Sequence, residues 1–208
     1  MPPPPSETSN EALKRQVEAN EQQQFQRNLE KTKQTAKELL PNEIWDDVNN
    51  LKLNYVKIPD NTKGIFVGKA RLPVNKSQEN DFLKEVISAS VLTSMGASVY
   101  LIPRIEKAAG GHISGPDAIV NGELVEFKVI TGSIKKLEER FRESRTQSQN
   151  VYIRVETPGI TRQDVIRKLI SVINDEKYTG GYKGYVVFTL GSGREEKTYF
   201  QKIKELKR

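Results

Sequence analysis

Asn121-Gly122, set between the apolar runs "AIV" and "ELVEFKVI", is the tightest constraint in the chain. A two-residue type I′ turn needs positive φ at both central positions, and Asn followed by Gly tolerates that best. The dipeptide therefore predicts a β-hairpin whose register follows by counting outward. Val120 faces Glu123, Ile119 faces Leu124, Ala118 faces Val125, and Asp117 faces Glu126.

That register opposes two carboxylates. Facing residues on one side of a sheet have Cβ atoms about 4.5–5.5 Å apart, and like charges at that separation destabilise the pair. Lys128 lies two residues beyond Glu126 and so on the same face, while Val125, Phe127 and Val129 point to the other. A hard dication held by the two acids would neutralise them, with Lys128 orienting or deprotonating a water for attack on a phosphodiester. The alternative is a salt bridge at a strand end.

Composition narrows the chemistry. The chain has 208 residues, no Cys and one His, so metal ligands here are oxygens and any Ser-His-Asp arrangement would rest on His112 alone. Absence of Cys fits a reducing compartment. Net charge is +6, of which +5 falls in residues 75–208, a modest attraction for a polyanion. No apolar run is long enough to span a bilayer, and "MPPPPSETSN" lacks the features of a signal peptide.

Three regions follow from patterning. Residues 1–40, a tetraproline and then a Gln-, Glu- and Lys-rich stretch with scattered Leu13, Val17, Phe25 and Leu29, are expected to form a solvated helix or linker. Residues 41–74, with Trp45 and the strand "KGIFVGKARL", form a small connecting segment. Residues 75–208 predict the order α-β-β-β-α-β-α-β-β, an α/β fold with a mixed sheet flanked by helices. Its first helix begins at Asn75, with Gln78 at capping-box spacing, and stops at Gly96; a later one begins with Thr161 and Asp164 in the same relation. On the first helix Glu79 lies between Phe82, Leu83, Val86 and Ser90 on the packing stripe, and Glu85 lies outside it. A carboxylate there needs a partner, although a first-turn acid also meets the helix dipole favourably.

Pro116-Asp117 followed by Glu126-Phe127-Lys128, after a helix bearing Glu79, resembles the PD-(D/E)xK nuclease superfamily, with its core of order αβββαβ. More narrowly, "SQENDFLKEVISASVLTSMGASVYLIP", "GPDAIVNGELVEFK" and "TQSQNVYIRV" are similar to the C-terminal tRNase domain of contact-dependent growth inhibition toxins, over roughly residues 75–190. The resemblance implies Asp117, Glu126 and Glu79 as metal ligands, Lys128 as the water-activating cation and Gln147 as a supporting polar group. Thr146 stands where the family often has Gly. It implies a divalent metal, Mg²⁺ with Mn²⁺ or Zn²⁺ as alternatives, and tRNA as substrate ahead of DNA. It also implies a cognate immunity protein and action in a bacterial cytoplasm, after delivery as the C-terminal part of a larger toxin or phage-associated protein.

Two other readings stay open: a DNA endonuclease of the restriction or repair type, and a non-catalytic nucleic-acid-binding module of the same fold. Lys135, Lys136, Arg140, Arg142 and Arg145 could meet phosphates, or form a salt-bridged solvated face with Glu138, Glu139 and Glu143. His112 is either a proton donor to the leaving group or an incidental loop residue.

Overall fold

The computed structural model describes residues 9–60, 62–103, 115–175, 182–191 and 196–207. The expected hairpin is present: β4 (Ala118–Val120) and β5 (Glu123–Ile130) pair Val120 with Glu123, Ile119 with Leu124 and Ala118 with Val125. Asn121 and Gly122 have φ of 53° and 90°, the left-handed values a type I′ turn requires. Around this hairpin an eight-stranded mixed sheet is ordered β1 to β8 in chain sequence. Its other strands are β1 (Trp45–Asp47), β2 (Ile65–Gly68), β3 (Val99–Leu101), β6 (Asn150–Val155), β7 (Tyr185–Leu190) and β8 (Lys197–Lys202).

β3, β4 and β5 form an antiparallel meander, and β6 and β7 then add in parallel to β5. Parallel neighbours need a crossover, supplied by α3 (Lys135–Ser144) and α4 (Arg162–Ile173). Both crossovers step in the same direction across the sheet, so the right-handed rule puts both helices on one face. There Leu137, Phe141, Val165 and Leu169 pack against Ile130, Val151, Ile153 and Phe188. α2 (Lys76–Ser94) covers the opposite face, with Phe82, Val86, Ala89 and Leu92 against Val99, Ala118, Val125 and Phe127.

The helix ends follow the local signals. The Asn75 side chain accepts the Gln78 N–H, while the Gln78 side-chain Oε1 accepts the Val74 N–H, one residue before the cap. Gly96, at φ 83°, closes α2, with Ala97 N–H returning to the Leu92 carbonyl. Thr161 and Asp164 form a full capping box on α4.

The N-terminal stretch is a 31-residue helix, α1 (Ser9–Leu39), of two characters. Glu11 to Gln24 are exposed throughout, in keeping with a solvated helix. The second half is no linker: Asn28, Thr32 and Ala36 are buried against β3 and β4, on the face of α3 and α4. Asn28 donates to the Gly96 carbonyl at 3.0 Å, Thr32 to that of Ser98 at 3.3 Å and Thr35 to that of Gly122 at 3.0 Å. The seam combines these side-chain hydrogen bonds to turn and strand-flanking carbonyls with the packing of Ala36 and Leu40 beside Tyr100 and Ile119. Residues 41–74 likewise contribute β1 and β2 to the same sheet, so the sheet crosses residue 75 without a break.

Candidate functional site: an acid pair and a lysine on the β4–β5 hairpin

Strand alternation places Asp117 beside Ile119 on one face, and Glu126, Lys128 and Ile130 on that same face of β5. Asp117 lies just before β4, where its Oδ2 accepts the Phe127 N–H at 2.9 Å and its carbonyl accepts the Ile102 N–H. That places its carboxylate across from Glu126, as the register predicts. Glu126 is 2% exposed, and the Lys128 ammonium lies 2.5 Å from its Oε1. α1 seats against β3 and β4 and α3 against β5, so the trio lies on the strip of sheet between two helices.

The electrostatics are those of a crowded carboxyl. Burial, and after it the negative charge of Asp117, push the Glu126 carboxyl up from its ordinary 4.5 to about 8. Lys128 pulls the other way, by hydrogen bond and by charge. The single ammonium therefore offsets only part of what burial and the second acid impose, and the site retains a demand for positive charge.

Glu79 is as buried as the periodicity requires, at 1% exposure, but its partners lie elsewhere. Its Oε1 accepts the Asn54 N–H at 2.8 Å, and its Oε2 accepts those of Tyr55 at 2.6 Å and Val56 at 3.1 Å. Three convergent peptide donors hold an anion strongly, and they make Glu79 the anchor of the segment between β1 and β2. α2 also covers the face away from Asp117, Glu126 and Lys128. The structure thus brings together Asp117, Glu126 and Lys128, and gives Glu79 to the loop. Among the described residues no group of three or more His, Cys, Asp or Glu gathers as a metal site.

Gln147 sits in the turn between α3 and β6, its N–H donating to the Ser144 carbonyl. The neighbouring Ser148 hydroxyl donates to the Leu124 carbonyl of β5 at 2.8 Å, tying this turn to the same strand as Glu126. In the basic segment Arg140 pairs with Glu143 and Arg142 with Glu138 and Asp175, while Arg145 lies over the Tyr182 ring at 5.2 Å. Arg140 and Arg142 are therefore built into the salt-bridged face and Arg145 into a contact with Tyr182 and the Gln149 carbonyl, while Lys135 and Lys136 remain exposed. His112 lies outside the described residues.

Sequence reasoning missed the ion pair of Arg71 with Glu85, which fixes α2 to the turn after β2. Only the burial of an off-stripe acid betrays it, and that is not visible in a helical wheel.

The donor set fits a hard cation. Two carboxylates from facing strands supply oxygen ligands, and one of them is buried and held reluctant to ionise until positive charge arrives. Comparison with known proteins found no matching family model, no similar curated protein and no similar solved structure.

Proposed function

We propose that the chain is a metal-dependent endonuclease of PD-(D/E)xK type that hydrolyses RNA phosphodiesters, with tRNA as substrate and DNA as the alternative. The observation that carries this reading is Glu126, a nearly inaccessible carboxyl placed between Asp117 and Lys128 and pushed up to about 8. A helix, an antiparallel three-strand meander, a second helix and a parallel strand, in that succession, support it.

Asp117 and Glu126 would hold a divalent cation, Mg²⁺ first and Mn²⁺ or Zn²⁺ as alternatives, which when bound supplies charge for the phosphate oxygens. Glu126 gives up its proton on binding, so metal occupancy rises with pH. With a cation held by the two acids, Lys128 can orient a water toward phosphorus and stabilise charge as it develops. The Phe127 N–H keeps the Asp117 carboxylate in register. Glu79 has no part in this chemistry beyond holding residues 54–56.

A toxin role, with an immunity partner and action in a recipient bacterial cytoplasm, follows from the resemblance of residues 75–190 and from nothing else. A second reading, a nucleic-acid-binding module of the same fold, is favoured by one observation: Lys128 already pairs with Glu126. The deciding experiment incubates the protein and its Asp117→Ala variant with total tRNA and with plasmid DNA, in Mg²⁺ or in EDTA. Mg²⁺-dependent cutting of tRNA that the variant loses supports the proposal, and cutting of DNA alone moves the substrate. If neither is cut, the binding module stands.

A further inference from the structure

The β7–β8 edge carries a feature that the hairpin chemistry does not use. Tyr185 pairs with Lys202, and Val187 with Phe200, so Tyr185, Phe200 and Lys202 share one face. The Tyr185 and Phe200 rings lie 5.1 Å apart at 36°. Tyr185 is held from below: its N–H donates to the Asn150 side-chain oxygen at 3.3 Å, and its hydroxyl shares a hydrogen bond with Glu123 at the start of β5. Phe200 rests on that anchored ring and is still 56% exposed. On the other face of β8 the equivalent ring is already covered, Tyr199 lying 5.2 Å from Phe188 and 5.3 Å under the Arg162 guanidinium.

Lys202, two residues from Phe200 on the same face of β8, is exposed and without an ion pair among the described residues. An apolar partner would gain nothing from an unneutralised ammonium beside a Phe. A polyanion with flat bases gains from both, since every base has a π-face to stack and every phosphate seeks a cation.

We propose that Phe200, supported by Tyr185 and with Lys202 beside it, is a stacking platform for single-stranded nucleic acid. It lies three strand spacings from β5, about 14 Å, and on the opposite face from Glu126. It therefore holds nucleotides remote from the reacting phosphate and governs affinity, leaving the chemical step to the hairpin. That these nucleotides belong to a substrate rests on the nuclease reading; the binding itself does not.

The test is fluorescence anisotropy in EDTA with a labelled oligouridine of about 12 nucleotides and a duplex of the same length. The proteins are the full chain and its Phe200→Ala, Phe200→Trp and Lys202→Ala variants, each matched to the parent by thermal melting. Phe200→Ala is expected to weaken single-strand binding about tenfold and to spare the duplex, with Phe200→Trp within about twofold of the parent. Lys202→Ala is expected to flatten the salt dependence. An unchanged affinity in Phe200→Ala, an equal loss on the duplex, or no binding by the parent overturns the platform. Single-strand binding in EDTA by a protein that cuts neither tRNA nor DNA when Mg²⁺ is supplied keeps the platform and overturns the nuclease reading, so the two fail separately.

Discussion

The Lys128 ammonium sits 2.5 Å from a Glu126 carboxyl that is 2% exposed, and this contact does not restore the carboxyl to its ordinary acidity. Burial and Asp117 outweigh it. One lysine facing two acids leaves Glu126 holding its proton, and the behaviour of the site toward protons and cations follows from that.

The first consequence is a pH dependence of stability. The folded protein keeps the Glu126 proton up to about pH 8, whereas the unfolded chain releases it near 4.5. Between those values the folded state binds more protons than the unfolded, so this group makes stability fall as pH rises. Thermal melts from pH 5 to 8.5 are expected to show the decline in the metal-free protein and a flatter profile in Glu126→Gln. A decline of equal size in the variant would assign it to other groups.

Lys128→Met is expected to separate binding from turnover. Removing a positive charge beside the acids leaves Mg²⁺ binding intact or stronger by calorimetry, while cleavage falls on the order of 10²-fold or more. Loss of Mg²⁺ binding together with cleavage would make Lys128 a structural partner of the site.

Glu79 tests the opposite assignment. Glu79→Gln weakens its hold on the Asn54, Tyr55 and Val56 N–H groups and is expected to cost about 1–3 kcal/mol in denaturant unfolding. Mg²⁺ affinity is expected to stay unchanged. Unaltered stability with lost metal affinity would return Glu79 to the metal.

These outcomes show where the sequence was readable. The hairpin register, the α2 termination at Gly96 and the Thr161 capping box depend on residues a few positions apart, and each was legible. Burial of Glu79 was legible from helical periodicity, but its partners are peptide groups about 25 residues away, beyond the reach of any local rule. The docking of α1 was hidden for a different reason. Asn28, Thr32 and Ala36 seat it through small size and hydrogen bonds, so no apolar stripe announces the contact. The pairing of β1 and β2 into the sheet is likewise a long-range choice that short strands do not advertise.

Gly122 reports on that hidden contact. A Cβ there would sit 3.1 Å from the Lys31 side chain, on a residue with φ of 90°. Gly122→Ala is expected to cost about 1–3 kcal/mol, and more than Gly159→Ala, whose φ is 79° but whose surroundings are open. Equal costs in the two variants would show that α1 does not press on the turn.

Hydrolysis by the Asp117, Glu126 and Lys128 trio is decided by single-turnover cleavage of total tRNA by the protein and by Glu126→Gln in saturating Mg²⁺. The substitution keeps the shape of the side chain and removes the ionised oxygen. The account predicts a loss on the order of 10²-fold or more with an unchanged fold. Cleavage by Glu126→Gln at the parent rate would contradict it.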